Sequence, residues 1–484
     1  MSIVIGVDIG TTSTKTIAFD ELGHIIYQTS YDYPLITEET GQAEERPQDI
    51  LRAVQLGLTE VQSKIAIVEL KGIGFSSAMH TLILIDKNNH PLTNVYTWAD
   101  NRATDTFKKD IIKDDLFDLT KNTGAPLHPM LPLGKLLWLK EKNKKLWEKT
   151  AFIVDIKSYI LYQFSQHYYV DFATANSSGL FNTYTKNWDD NILQYLNIKK
   201  EQLPQLVDTT FQVPNFESSI KVPLIIGGSD GTLANLSNPQ IDERFYTVSC
   251  GTSAAVRTNI DTLRLCQNRK LFTYYQYQNN WVVGAPTNNA GDVWQWLKDK
   301  IFNLATFEEL NDLAEKSPVG AKGLFFVPYI FGERAPIWNP DASGGFMGLT
   351  AIHTNKDLAR AVLEGELYNI NLIIKELNQF NGQKPDALVL VGGMAKNQFF
   401  DQLLADITGY KVYVPESVEA SALGAAILAM ISLKIIASPL MIQKELKIAK
   451  VFHVNSHNHG IYVALEKKWN KVRQLMTEEW LAVE

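Results

Sequence analysis

The 484-residue chain reads as an α/β protein of two related lobes, each built on a sheet covered by helices. Three observations lead there. An apolar strand, Ile3-Val4-Ile5-Gly6-Val7, meets the turn Asp8-Ile9-Gly10-Thr11-Thr12-Ser13-Thr14 and resumes as Lys15-Thr16-Ile17-Ala18-Phe19. The same pattern opens the second half, where Phe245 to Cys250 meets Gly251-Thr252-Ser253 before Ala254 to Arg257. This internal echo points to duplicated halves. Finally, Ala387 to Val391 reads as a buried strand ending in Gly392-Gly393, followed by a helix from about Asn397 to Thr408, a strand from Lys411 to Val414 and a small-residue helix from Ala420. Strands alternating with helices indicate covered sheets, whose nucleotide sites lie at strand carboxyl ends. Asp8, Asp230 and Gly392 all fall at such ends.

The remaining elements follow in order. A third strand from Ile25 to Tyr31 completes a meander after the turn Asp20-Glu21-Leu22-Gly23. Glu45-Arg46-Pro47 precedes an amphipathic helix, roughly Gln48 to Lys64, and strands follow from Ile73 to Ser76 and from Thr81 to Asp86. Helices are expected to dominate from Arg102 to Phe164, with the lysines between Lys140 and Lys149 on a solvated face. Asp189 to Phe216 is polar and reads as irregular. The second half repeats a meander over Tyr246 to Thr258, Phe272 to Tyr277 and Trp281 to Gly284, then a helix from Asp292 to Phe302.

Hydrophobic residues at 45% and charged residues at 20% suit a globular enzyme, and a net charge of −7 disfavours non-specific binding to nucleic acid. Cys250 and Cys266 are the only cysteines, too few for a disulfide framework, so a reducing, cytoplasmic setting is expected. The N-terminus carries Asp8 within its apolar run and does not read as a signal peptide. The longest apolar stretch, Ala420 to Ile436, holds Gly424, Ser432 and Lys434 and reads as a buried helix rather than a membrane span.

The two turns carry the chemistry. Gly10 lets the backbone approach an anion, while hydroxyls and successive N–H groups make a concavity for phosphate, to which Lys15 adds charge. Asp8 is placed to hold hydrated magnesium beside that phosphate. No Walker pattern and no G-x-G-x-x-G occurs, which disfavours the P-loop and the Rossmann fingerprint. Asp230 ends the strand Pro223 to Ser229 just before Gly231. An Asp before Gly is commonly a turn residue, yet its place ahead of the second turn points to a general base for a hydroxyl nucleophile. Met79-His80, near Trp98, Asp100 and Arg102, offers an aromatic wall with donors and acceptors suited to a polyol, although Arg102 could equally pair with Asp100 or a neighbouring carboxylate. His453 to His459 invites a zinc reading, but reads better as a surface loop.

The segment from Gly344 to Glu364, with Phe346, Gly348-Leu349, Asp357-Leu358 and Ala361-Val362-Leu363-Glu364, resembles a long signature of the FGGY carbohydrate kinases. A first signature of that family is matched by Met130, Pro132, Lys135-Leu136, Trp138-Leu139 and Glu141, with Lys142 at a usually polar last position. The resemblance covers almost the whole chain. It implies two ribonuclease-H-like, actin-like ATPase lobes with nucleotide and sugar in the cleft between them, divided as residues 1–244 for the sugar and 245–484 for the nucleotide. It also implies ATP and Mg2+ as cofactors, and roles for named residues. Asp230 matches the catalytic base. Asp8 resembles the magnesium-associated aspartate, with Asp230 beside the metal, and Gly10, Thr11, Thr12 and Lys15 the first phosphate contacts. Gly251 and Thr252 resemble the second phosphate loop, Gly291 and Gln295 the segment by the nucleotide, and Gly392, Gly393, Met394 and Asn397 the adenosine motif. Met79, His80, Trp98, Asp100 and Arg102 would bind the substrate.

Ser77-Ala78 precedes Met79-His80, where xylulose kinases commonly carry Gly-Gln. Phe75 to His80, Thr97 to Arg102 and Gly124 to Met130 look most like the gluconate kinases of the family. Gluconate is therefore the expected substrate, with xylulose or another pentulose as the alternative. The gluconate carboxylate would need a cation, which Arg102, Lys157 or Arg334 could supply. A homodimer is the default assembly for a soluble enzyme of this kind.

Overall fold

Alternating apolar residues build the N-terminal meander that the sequence predicts. Ile3–Ile9, Ser13–Phe19 and Ile25–Asp32 pair antiparallel, with Asp8 opposite Lys15 across the first turn. Leu70–Ser77 then joins parallel to Ile3–Ile9, which sets Ser76 opposite Asp8, and Leu224–Ser229 joins parallel to that strand in turn. Gln212–Val213 closes the six-stranded sheet. These assignments come from a computed structural model that describes residues 2–66, 68–109, 116–216, 220–238, 244–416 and 419–479.

The chain forms two units, one of residues 1–239, 259–282 and 418–446, the other of residues 240–258, 283–417 and 447–484. The small-residue helix Ala420–Ser432 belongs to the first unit although it lies late in sequence, and its composition explains why. A Cβ added to Gly6 would collide with the Ala422 carbonyl, and one added to Gly74 with the Ala425 carbonyl. Helix backbone rides directly on strand backbone there, which only glycines on the sheet and small residues on the helix permit. Helix Pro47–Lys64 carries Pro47 in its first turn and buries Ile50, Ala53, Val54, Gly57, Leu58 and Val61, a single helical face.

The second unit repeats the plan. Phe245–Cys250 pairs antiparallel with Ala254–Ile260 and parallel with Ala387–Val391, whose other neighbour is the parallel strand Lys411–Pro415, followed by antiparallel Ile448–Phe452. Helix Asn355–Asn381, 27 residues long, is buried along most of its length. The signature's charged residues do structural work in it. Asp357 closes a capping box with Thr354 and accepts from Ser317 Oγ at 2.8 Å, while Glu364 is buried against Arg360 Nε at 2.7 Å and Tyr462 Oη at 2.8 Å.

Helices dominate from Arg102 to Phe164 as the sequence predicts, and two other expectations are corrected. In that stretch Thr104–Lys108, Pro132–Lys142, Lys144–Lys149 and Ile156–Ser165 are separate helices, with strand Phe152–Val154 among them. Pro126 and Pro129 lie in the non-helical run ahead of Pro132, which opens its helix at the first position. Residues 110–115 of that stretch lie outside the described residues. Asp189 to Phe216 is ordered rather than irregular, because Asp189 caps helix Asp190–Leu196, which buries Ile192, Leu193 and Leu196. The histidine-rich segment is not a loop throughout. Asn455 caps helix Ser456–Gln474, which places His457 and His459 in its opening turns, with His459 Nδ1 2.8 Å from the Asp406 carbonyl oxygen. Among the described residues no group of three or more His, Cys, Asp or Glu is arranged to hold a metal ion, and no helix is long and apolar enough to cross a membrane.

Candidate active site

In the first unit, the carboxyl ends of three neighbouring strands deliver Asp8, Ser76 and Asp230 to one place. Ser76 Oγ donates to Asp8 Oδ1 at 2.9 Å, while Asp230 Oδ1 accepts from Gly231 N at 2.8 Å and from Met79 N at 3.3 Å. Burial, and next the negative charge of Asp230, raise the Asp8 carboxyl to about 7, against the opposing pull of Ser76 and Lys15. Lys15 faces Glu419 at 2.6 Å. The first turn is braced from behind: Gly10 N donates to Ser13 O at 3.0 Å, Tyr33 N donates to Thr12 O at 3.0 Å, and Tyr33 Oη donates to Gly10 O at 2.6 Å. Thr12 is left exposed.

The residues expected to contact the sugar fall in the same unit. Trp98 Nε1 donates to Thr11 Oγ1 at 3.3 Å, tying the aromatic wall to the turn. His80 adopts φ +63° and its Nδ1 lies 2.7 Å from the Ser177 carbonyl oxygen. Its own carbonyl accepts from Lys135 Nζ at 3.1 Å, and Met130 O accepts from the same ammonium at 2.6 Å, so a first-signature lysine fixes the Met79-His80 turn. Burial lowers that ammonium to about 7, against the pull of Asp100. Asp100 is fully buried. It accepts from Ala43 N at 3.1 Å and from Arg102 Nη2 at 2.6 Å. Arg102 also pairs with Glu44, and it lies 5.3 Å from the Tyr96 ring centroid and 5.0 Å from that of Trp138. Burial works against its charge, and the hydrogen bonds it donates to Asp100 and Glu44 outweigh that, holding the guanidinium above its ordinary range.

The other two cations considered for a substrate carboxylate are also engaged. Lys157 is buried against Asp171 at 2.6 Å and donates to Gly228 O at 2.7 Å, next to the strand end that presents Asp230. Arg334 belongs to the second unit, where its Nη2 donates to Thr287 O at 3.1 Å.

The second unit holds a cavity of about 460 Å³ lined by Gly251, Thr252, Gly291, Asp292, Trp294, Gln295, Phe307, Glu308, Asn311, Gly393, Met394, Lys396 and Asn397. Of the residues expected there from the sequence, Gly251, Thr252, Gly291, Gln295, Gly393, Met394 and Asn397 converge on it. Gly392 lies behind it. At φ +101° it lets the strand end approach the Cys250 carbonyl, which a Cβ would strike. Gly251 N donates to Ser253 O at 2.9 Å, and the turn is locked from the next element by Gly291 N to Gly251 O and Asp292 N to Thr252 O, both 3.0 Å. Asn397 caps helix Gln398–Thr408 and donates to Asn311 Oδ1 at 2.8 Å, while Gln295 sits at the rim against Asp299.

Sequence reasoning missed Phe307 and Asn311, which no turn or glycine marks, and Ser76 and Tyr33, which act through Asp8 and Gly10. A larger cavity, about 820 Å³, is lined by residues such as Tyr162, His167, Lys186 and Trp188 and contains none of the expected site residues.

The two turns differ in one telling respect. Asp8 precedes Ile9-Gly10-Thr11, whereas Ser249 occupies the equivalent place before Cys250-Gly251-Thr252. Only the first unit adds a carboxylate to its turn, so the pair Asp8 and Asp230 can hold a cation or a proton, and the second unit's cavity offers backbone N–H groups with aromatic and amide walls.

Residues 3–237 match the N-terminal domain, and residues 246–433 the C-terminal domain, of the FGGY family of carbohydrate kinases. The chain is 36% identical over 449 residues to a gluconokinase of Bacillus subtilis, covering 89% of this chain and 87% of that protein. Among solved structures, a xylulose kinase from Lactobacillus acidophilus aligns over 100% of both chains with a TM-score of 0.95 at 32% identity. A gluconate kinase from Lactobacillus acidophilus aligns over 99% of both with a TM-score of 0.94 at 33% identity. With its two α/β units, its duplicated glycine turns and both domains matched along most of its length, the chain belongs to the FGGY family of carbohydrate kinases.

Proposed function

We propose that the protein transfers the γ-phosphate of ATP to gluconate, giving 6-phosphogluconate and ADP. The observation that carries the chemistry is the carboxylate pair: Asp230 and Asp8 lie at the ends of two parallel strands that flank Leu70–Ser77 in one sheet, and the charge of Asp230 raises the cost of charging Asp8. Asp230 takes the proton from the terminal hydroxyl, Met79 N and Gly231 N hold its carboxylate in place, and Trp98 frames the polyol while buried Asp100 holds Arg102. The second unit's cavity receives the nucleotide, with Gly251 and Thr252 at the phosphates and Gly393, Met394 and Asn397 at the nucleoside. The likeness to gluconokinase, together with Phe75 to His80 and Thr97 to Arg102, supports gluconate.

One observation favours a neutral pentulose such as xylulose. Arg102 is flanked by Asp100 and Glu44, so this cluster is net negative before substrate arrives. Comparison of kcat/KM for gluconate, xylulose and ribulose separates the readings. A value for gluconate at least tenfold above the others is the expected result, and the reverse order overturns the substrate.

The donor set fits Mg2+, which is commonly held by one or two carboxylates with substrate phosphates and water completing its shell. Asp8 would hold it, with Asp230 beside it. When bound, the ion supplies charge neutralisation at the polyphosphate. A stability test follows from Asp8 itself. Its folded-state value, about 7, lies above the unfolded 3.8, so the folded protein binds the proton more tightly. Stability from this group falls as pH rises from about 4 to about 7 and then levels off. Melting temperatures measured without divalent ions should therefore fall more steeply over that range than those of Asp8→Asn. Mg2+ should raise the native melting temperature more at pH 8 than at pH 5.5, and should leave Asp8→Asn nearly unmoved. Equal Mg2+ effects in both proteins would contradict the assignment.

A further inference from the structure

Behind the second unit's cavity sits a carboxylate that no part of the reaction described so far employs. Glu333 is fully buried and follows Gly332, itself at φ +63°. Its Oε2 accepts from Thr287 Oγ1 at 2.6 Å, Asn369 Nδ2 at 2.9 Å and Asn289 Nδ2 at 3.2 Å. Its Oε1 accepts from Arg334 N at 2.8 Å and Asn288 N at 2.9 Å. Burial raises the carboxyl to about 7, while the bonds from Thr287, Asn288 and Asn289 work against that rise. Three of these donors are consecutive residues, 287 to 289, and the chain then runs straight into Ala290 and Gly291.

That continuity matters because Gly291 and Asp292 donate to the carbonyls of Gly251 and Thr252, the turn that lines the cavity. The anchored segment is cross-braced as well. Asn289 Nδ2 donates to Gly332 O at 2.7 Å, Phe331 N donates to Asn289 Oδ1 at 3.1 Å, and Tyr329 Oη donates to Asn369 Oδ1 at 3.0 Å. Thr287, Asn289, Tyr329 and Asn369 are all fully buried. We infer that Glu333 is a positioning residue for nucleotide binding: it fixes residues 287 to 289 and, through Gly291, the place of the Gly251-Thr252 turn. The inference rests on the reading of the second unit's cavity as the nucleotide site. Every partner named is a donor, so the arrangement demands an acceptor at both oxygens. Glutamine, equal in size, would turn an N–H2 group against donors on one side and leave at least one of them buried and unmatched.

The test uses ADP binding by calorimetry together with steady-state KM for ATP and for the sugar. Glu333→Gln should weaken ADP binding and raise KM for ATP by about tenfold, the cost of a mismatched buried charged hydrogen bond, with the sugar KM within about twofold of the native value. Thr287→Val should move the same two quantities in the same direction, and Thr287→Ser, which keeps the hydroxyl, should restore them. The Thr287 pair carries the test if Glu333→Gln fails to fold. Native ADP affinity in the folded variants, or an equal rise in both KM values, would overturn the positioning role. Failure of the unsubstituted protein to bind ADP would instead overturn the nucleotide reading of the cavity, and this inference with it.

Discussion

Asp230→Asn is expected to lower kcat with the preferred sugar on the order of a thousandfold, within the range for losing a general base, while KM for ATP stays near native. The carboxylate oxygen that accepts from Gly231 N at 2.8 Å and Met79 N at 3.3 Å has an amide counterpart in asparagine, so the start of helix Asp230–Leu236 keeps its local bonds. The side chain keeps its volume and loses its basicity. Removing one of two facing carboxylates also relieves Asp8, so the melting temperature should hold or rise near neutral pH. Steady-state kinetics and a thermal melt on the same preparation decide it. Near-native kcat in a folded variant would remove Asp230 from the reaction.

The second large effect is expected from Gly291→Ala. A Cβ at this position collides with the Gly251 carbonyl oxygen, which is backbone and cannot swing aside as a side chain would. The hydrogen bond from Gly291 N to that oxygen must lengthen, and the Gly251-Thr252 turn must move with it. Displacing a phosphate-positioning element by about an ångström costs on the order of a hundredfold, so kcat/KM for ATP should fall by roughly that factor. The sugar KM should change little. Native nucleotide kinetics in a folded Gly291→Ala protein would detach this turn from the nucleotide.

The two glycine turns were legible because backbone geometry leaves a compositional trace. Gly10, Gly291 and Gly392 stand where carbonyls approach closely or φ is positive, and hydroxyl residues cluster beside Gly10 and Gly251. Strand ends were equally readable, which is why Asp8 and Asp230 were found without a structure, and why residues chosen from glycine and amide motifs converge on one cavity. Side-chain partnerships across sequence distance were not readable in the same way. Arg102 could be placed near the site, but its pairing with Glu44, 58 residues earlier, depends on tertiary packing. Phe307 enters the cavity from the first turn of an amphipathic helix, where its spacing looks like any other. The corrected segments failed for a simpler reason: single caps, Asp189 and Asn455, start helices in stretches whose polar composition reads as loop.

If this fold hands phosphate to a sugar alcohol deprotonated by Asp230, ATP labelled at the γ position will report the transfer. Incubated with gluconate and Mg2+, the native protein should place the label in 6-phosphogluconate in step with ADP formation, and Asp230→Asn should suppress both together. Label released as inorganic phosphate at a rate indifferent to every polyol offered would show that no sugar alcohol is the acceptor.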